Sequence, residues 1–463
     1  MSDPSLRPSL QNVPLAESIE QAVLLTTAGL FDGCRPRGYD AVGPLTRVGG
    51  LSVFLRAVLT LQRAGIREIL VLAGPEEASL KEAIRKDRRV TVPIRWMPVR
   101  EFPPEDPRTW KALGAEVRGA CLLIGGRLLF SSELVGRLCT LARDGEPALV
   151  VQRVSEQNGP GLRIEAEGGH GIATDLIALP GDLLRRVGAS EVSPAATPLH
   201  ALVKQAVSEG KVRTITASSL AGHWLQEVVD TGTARAAESA LINALDDERG
   251  GIVDKYLNRP LSRPFTLLFL ALGLSPNAVT GVSILIGLVA AAAFAVGNYP
   301  AALVGALLLQ LSAIVDCSDG DVARLTFSES EFGAKLDIMG DNVVHMAIFG
   351  GIAWGLFLEQ ASDGVSWLPL VLGAAAIIGT GLSLLLVRRA EALSHRLGGR
   401  DGRQAAVLDF ILDSVANRDF TLIVLILALL GRLEWFLWLA AVGAQVFWIV
   451  LAWTTRPFAV SRA

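Results

Sequence analysis

The chain has 463 residues, of which 51% are hydrophobic and only 19% charged, so it is long enough for two or three domains and too apolar for an ordinary soluble protein. A formal net charge of −3 is no strong signal either way, but no basic tract and no basic patch interleaved with aromatics is present, so no nucleic-acid partner is expected. The four cysteines, Cys34, Cys121, Cys139 and Cys317, are scattered without a CxxC pair, which argues against a disulfide framework or a zinc site.

Residues 1–19 form a polar tail carrying Pro4, Pro8 and Pro14, with no charged-then-apolar leader, so a cytoplasmic N-terminal portion is expected. From 20 to 235, short apolar runs alternate with helical stretches. Gln21–Thr27 reads as a strand, Leu51–Ala64 as a helix stopped by Gly65, and Glu68–Ala73, Ala120–Ile124 and Ala148–Gln152 as further strands. This alternation predicts a soluble α/β domain with a largely parallel sheet. A linker, 236–274, follows. Within it Leu257, Leu261, Phe265, Leu268 and Phe269 recur at near-helical spacing among Asp254, Lys255, Arg259 and Arg263. That pattern fits an amphipathic helix lying on the cytoplasmic leaflet, with a plain linker helix as the alternative. Ser275 followed by Pro276 is an ordinary helix start.

Residues 275–463 read as an all-α transmembrane domain. Six apolar segments stand at about 278–297, 300–318, 340–358, 366–387, 419–431 and 434–454, most of them near the ~20 residues that cross a bilayer core. Basic residues crowd alternate connections. They are Lys255, Arg259 and Arg263, then Arg324 and Lys335, then Arg388, Arg389, Arg396, Arg400, Arg403 and Arg418, and finally Arg456 and Arg462. The opposite connections are nearly bare. The positive-inside rule therefore puts both termini on the cytoplasmic side of a multi-pass protein of the cell membrane.

Four aspartates stand where two spans meet. Asp316 and Asp319 are spaced i,i+3 and Asp337 and Asp341 i,i+4, so on helices each pair shares a face. Carboxylates at the end of a membrane helix are costly unless a metal or partner charge offsets them. Oxygen ligands on two facing helices suit hard divalent cations, and Mg²⁺ prefers carboxylates together with substrate phosphate oxygens.

The stretch Asp316-x-x-Asp319-Gly320-x-x-Ala323-Arg324, eight residues, then Gly333-x-x-x-Asp337-x-x-x-Asp341 resembles the signature of the CDP-alcohol phosphotransferase family, with every position filled. The resemblance implies an enzyme that moves a phosphoryl-linked alcohol from a CDP-alcohol to an acceptor alcohol or phospho-alcohol, releasing CMP. It implies two Mg²⁺ ions, with Mn²⁺ as a substitute, held by Asp316, Asp319 and Asp337, and Asp341 as general base that also touches a metal. Asn277 and Thr280 match the family's entry to its first span and would face the nucleotide. Gly320, Ala323 and Gly333 would let substrate approach the backbone, with helix packing as the alternative. Arg324 would bridge the carboxylates or hold a phosphate. Arg388, Arg389 and Arg418 would bind an acceptor phosphate such as inositol 1-phosphate, or simply set topology. A homodimer through the membrane helices is also implied, in contact with membrane lipids.

The soluble half resembles sugar-nucleotide and inositol-phosphate nucleotidyltransferases, which have a Rossmann-like fold. The matching points are Ala28-Gly29, Pro44-Leu45, Val48-Gly49-Gly50, Ala64-Gly65-Ile66 and the run from Trp224 to Asp230-Thr231. Together the halves resemble the two-domain proteins of di-myo-inositol phosphate phosphate synthesis. The departures are Ala28 to Arg35 in place of a Gly-rich loop, Gly43 in place of a lysine, and Gly125-Gly126-Arg127 in place of a metal-binding aspartate. A missing carboxylate removes an oxygen ligand from a Mg²⁺ clamp on triphosphate. A degenerate domain is therefore expected, with a bifunctional enzyme that makes its own CDP-alcohol from CTP as the alternative. A membrane scaffold with a vestigial site is the non-enzymatic alternative, and the intact motif argues against it.

Overall fold

A computed structural model of the chain describes residues 19–26, 43–98, 106–142, 146–153, 163–166, 169–189, 198–217, 224–245, 253–360, 365–397 and 420–454. It divides into two compact units, Met1–Ala244 and Leu245–Ala463.

The first unit is built on one sheet. Strands β1 (Gln21–Leu25), β4 (Glu68–Ala73), β5 (Ile94–Pro98), β6 (Cys121–Gly125), β8 (Ala148–Arg153), β10 (Gly169–Leu179) and β11 (Arg213–Thr216) lie in the order β11-β8-β10-β6-β1-β4-β5, with β9 (Arg163–Ala166) on β10. Two short pairs stand apart, β2 (Arg47–Val48) with β3 (Leu51–Ser52) and β7 (Leu128–Phe130) with β12 (Leu225–Glu227). The pairs β1/β4, β1/β6, β4/β5 and β11/β8 are parallel, as the alternation predicts. The sheet is nevertheless mixed, because β10 runs antiparallel to β6, β8 and β9. Every residue of β1 and β6 is buried, since both sheet faces are covered. Leu24, Ile69 and Leu122 point into one core with Phe54, and Val23, Leu70 and Leu123 into the other with Trp110.

Local chemistry sets the helices of this unit, α1 (Val53–Arg63), α2 (Glu77–Arg85), α3 (Pro107–Glu116), α4 (Ser132–Leu141), α5 (Gly181–Ala189), α6 (Pro198–Ser208) and α7 (Thr231–Asn243). The Ser52 hydroxyl accepts from Leu55 N at the start of α1, and Asp106 caps α3 just ahead of Pro107. Asp230 caps α7, accepting from Thr233 N at 2.7 Å in a reciprocal capping box.

The second unit is helical. A π-turn at Asp254–Asn258 leads into α8 (Arg259–Leu272), which Gly273 ends in the left-handed conformation. Then follow α9 (Pro276–Phe294), α10 (Tyr299–Leu325), α11 (Glu331–Gln360), α12 (Leu368–Leu397), α13 (Phe420–Leu429) and α14 (Leu433–Thr454). Five of these, α9 to α12 and α14, contain stretches long and apolar enough to cross a membrane. The segment expected at 419–431 appears among the described residues as the ten-residue α13, too short to span a ~30 Å core by itself. Six spans are therefore expected from sequence and five are found at full length among the described residues.

The second and third spans run further than hydrophobicity suggests. The 27 residues of α10 and 30 of α11 make helices of about 40–45 Å, which carry the aspartates as helical extensions of the spans. α9 packs along both α10 and α11. Close approach is made by glycine: a Cβ at Gly351 or Gly355 would collide with the backbone of α9 at Ala291 or Phe294. Leu285, Val371, Leu385, Leu439 and Trp453 remain exposed on the outside, a surface suited to lipid.

Candidate metal and substrate site

The link between α10 and α11 is only five residues, Thr326 to Ser330. Its first turn closes by two backbone bonds, Ser328 N to Ala323 O at 2.9 Å and Phe327 N to Arg324 O at 3.3 Å. This is a Schellman termination with Phe327 at φ 53°, in the region glycine normally fills. The tight link folds the start of α11 back against the end of α10 and so brings the two aspartate pairs together.

Asp316 and Asp319 are buried and Asp337 is partly buried, and one carboxylate oxygen from each lies within 4.8 Å of the others. Oxygens around a single Mg²⁺ ligated at about 2.1 Å are roughly 3–4 Å apart, so the trio fits a hard divalent cation with little movement. Asp341 stands one turn further along α11, outside this three-carboxylate group.

Two hydroxyls on α9 hold the buried pair. Thr280 Oγ1 lies 2.5 Å from Asp319 Oδ2 and 3.1 Å from Pro276 O. Ser283 Oγ lies 3.0 Å from Asp316 Oδ1 and 2.8 Å from Thr280 O. Each hydroxyl has one proton, and a carboxylate is the stronger acceptor. Ser283 is held in turn, because its carbonyl accepts from Ser312 Oγ at 2.7 Å. All three hydroxyl residues are buried. Thr280 thus spends its hydroxyl on a carboxylate, whereas the sequence reading aimed it at a nucleotide. Ser283 was missed. The signal for it was a polar residue three positions beyond Thr280, on the same face of an otherwise apolar helix.

The other motif positions lie around this group. A Cβ on Gly333 would meet Asn277 Oδ1 at 3.0 Å, so α9 and the start of α11 touch there. Arg324 pairs with Asp321 at 2.7 Å, and its guanidinium covers Gly320, where a Cβ would stand 3.2 Å from Nη1. Asp321, which lies outside the motif pattern, is an ion-pair partner with only 15% of its side chain exposed. Ala323 supplies the carbonyl that closes the turn. The His345 ring packs edge-on against Phe420 at 4.9 Å, in line with a packing role. Arg418 lies outside the described residues, as do the side chains of Arg388 and Arg389.

In the first unit β6 ends on glycine, Gly125, and contributes no carboxylate of its own there. A Cβ on Gly125 would lie 2.8 Å from Asp175 Cβ and 3.0 Å from its Oδ2, so the Asp175 side chain from β10 fills that room. Gly126 N donates to Leu25 O at 2.6 Å, which draws the strand end under β1. Asp230 is occupied in capping α7, and bonds from the Thr233 backbone and hydroxyl hold its carboxyl below the usual range. The stretch Ala28 to Arg35 lies outside the described residues.

Residues 273–446 match the family model for CDP-alcohol phosphatidyltransferases. A protein of Rubrobacter xylanophilus named bifunctional IPC transferase and DIPP synthase is 27% identical over 383 residues, 78% of this chain and 82% of that one. One of the same name from Archaeoglobus fulgidus is 23% identical over 414 residues, 86% of this chain and 77% of that one. Phosphatidylinositol phosphate synthase of Mycobacterium tuberculosis is 27% identical over 205 residues, 44% of this chain and 89% of that one. Among solved structures, the inositol-1-phosphate CTP transferase of T. maritima aligns with a TM-score of 0.37 at 14% identity, covering 49% of this chain and 96% of that one.

Proposed function

We propose that this chain is an integral-membrane enzyme whose residues 273–446, which match the CDP-alcohol phosphatidyltransferase family model, form a CDP-alcohol phosphotransferase domain with the following site and substrates. Asp316, Asp319 and Asp337 hold the metal, most simply Mg²⁺ and, by the chemistry of the reaction, two ions. Divalent ions bound there would neutralise the donor's pyrophosphate and polarise the phosphorus under attack. Thr280 and Ser283 keep the carboxylates of Asp319 and Asp316 aimed. Asp341 takes the proton from the acceptor hydroxyl, which attacks the phosphorus distal to cytidine. The bond from that phosphorus to the bridging oxygen breaks, and CMP leaves with that oxygen. A carboxylate is a weak base, so the acceptor must already be held in place when it acts.

Asn277 and the small residues Gly320, Ala323 and Gly333 border the donor's phosphates, with Arg324, whose guanidinium lies over Gly320, at the outer edge. Arg418 belongs to the acceptor pocket. Bound to a cytoplasmic face by the distribution of arginine and lysine, the site draws a soluble or headgroup alcohol from that side. The acceptor we favour is inositol 1-phosphate or a related phospho-alcohol, in keeping with the names of the relatives. The enzyme works as a homodimer. The observation that carries the reading is the three-carboxylate group on the joined ends of α10 and α11, braced by two buried hydroxyls. Mass spectrometry of products from purified protein given a panel of CDP-alcohols with inositol 1-phosphate tests it. A phosphodiester of donor alcohol and acceptor plus CMP is expected, and CMP-free mixtures throughout would reject it.

A second reading is favoured by relatives whose bifunctional names extend over both halves of the chain. In it, the first unit makes the CDP-alcohol from CTP. Gly125 weighs against this, since the strand end there lacks its own carboxylate. Pyrophosphate release from CTP and inositol 1-phosphate would establish the second reading.

A further inference from the structure

Helix α8 is turned the opposite way from a soluble amphipathic helix. Its polar residues Ser262 and Thr266, with Asn258 one turn before, are fully buried, while Leu261, Leu267, Leu268 and Leu272 are exposed. The buried polar face lies against α10. Asn258 Oδ1 accepts from Gln310 Nε2 at 2.6 Å, and Asn258 Nδ2 donates to Asp254 Oδ1 at 2.6 Å. Two turns further along α10, Ser318 Oγ donates to Ser262 O at 3.2 Å. Gln310 is 7% exposed, and its Oε1 has no hydrogen-bond partner among the described residues. A buried amide in a membrane helix is costly, and here it makes a single directed link.

The link lies on the far side of the helix that carries the metal ligands. At about 100° per residue, Asp319 falls about 180° round α10 from Gln310, and Asp316 about 240°. Thr280 and Ser283 therefore hold one face of α10, and Asn258 and Ser262 hold the opposite one. A helix gripped on both faces cannot roll, and a roll of α10 would swing both carboxylates off Asp337. The π-turn assists: Arg259 N reaches Asp254 O, and this wide turn places Asn258 inward just ahead of Pro260, whose missing N–H weakens an ordinary turn here.

We propose that Asn258 and Gln310 are positioning residues for the metal site, a latch between the helix preceding the first span and the helix bearing Asp316 and Asp319. The inference rests on the reading that those carboxylates hold the metal. It is separable from a purely structural role, because replacing both buried amides by apolar groups of similar shape leaves neither amide unpaired and is nearly neutral for stability, while Asp254, which loses its bond from Asn258, is only partly buried and open to water.

The test is Mn²⁺ binding, followed by electron paramagnetic resonance, to the purified full chain, with thermal unfolding alongside. The double variant N258L/Q310M is expected to unfold within about 4 °C of wild type yet to bind Mn²⁺ about 10-fold more weakly, the low end for lost outer-sphere support. Mn²⁺ affinity equal to wild type in the folded double variant overturns the latch. If that variant is not recovered folded, the reciprocal swap N258Q/Q310N decides, because it keeps the combined length of the link. Wild-type-like affinity in the swap, with weaker binding in N258Q and Q310N separately, supports the latch. Equal affinity in all three overturns it. Asp316→Asn reports on the underlying reading: if it binds Mn²⁺ as wild type does, the metal assignment itself fails and takes the latch with it.

Discussion

Removing the hydroxyl of Ser283 should weaken the metal site without touching a metal ligand. The bond from Ser283 Oγ to Asp316 Oδ1 is 3.0 Å long, and both residues are buried, so no water replaces it readily. A hydrogen bond to an ionised carboxylate contributes about 1.5–3 kcal/mol, so Ser283→Ala should raise the Mg²⁺ concentration for half-maximal activity about 10- to 100-fold. Thr280→Val, which keeps the shape and removes the bond to Asp319, should act in the same range. The two changes bear on one carboxylate group, so their effects should not add. Ser312→Ala is the control. It removes a bond to the Ser283 carbonyl only and should shift the Mg²⁺ requirement by no more than about threefold. The assay is CMP release against Mg²⁺ concentration in detergent-solubilised protein at saturating donor. Mg²⁺ curves for S283A and T280V that overlay wild type would refute the claim that these hydroxyls orient the ligands.

Two further outcomes follow from the fold. Gly351→Val sets a branched side chain against the Ala291 carbonyl of α9, and overpacking of this kind costs about 1–3 kcal/mol, so the thermal midpoint of the purified protein should fall. An unchanged midpoint would mean that α9 and α11 do not approach there. In the first unit, Asp230 has its carboxyl held below the ordinary range by its bonds to Thr233, so its contribution is present above the unfolded-state value and lost as pH falls through the folded one. Hydrogen exchange of α7 amides should therefore be faster in Asp230→Ala than in wild type at neutral pH. The difference should shrink as pH falls below the ordinary carboxylate range. A difference that persists in acid would point to another cause.

The parts of the fold set by periodicity were legible from the residues. Glu68–Ala73 is a strand with the bounds its apolar run suggests, and Gly65 stops α1 at φ +93°. Strand direction was not legible, because β10 mixes His170, Thr174 and Asp175 with apolar residues and is not among the strands the apolar runs predict, and its antiparallel pairing is what makes the sheet mixed. The ends of α10 and α11 were underestimated because polar motif residues look like loop when hydropathy alone is followed. Aspartates at i,i+3 and i,i+4 are equally at home on the last turns of a helix. Asp316, Asp319 and Asp337 could be placed together because spacing puts each pair on one face. Ser283 and Asn258 could not, since a serine or asparagine next to leucines carries no sign of what it will touch. In a protein surrounded by lipid the apolar face turns outward, and the polar face, with Asn258 and Ser262, packs inward.

Metal-dependent release of CMP from a CDP-alcohol, compared between wild type, Asp337→Ala and Asp341→Ala, tests the central claim most directly. The account predicts Mg²⁺-dependent CMP release by wild type and its loss in both variants, with Mn²⁺ binding also weakened in Asp337→Ala, whose carboxylate belongs to the buried trio. CMP release that survives both substitutions would contradict it.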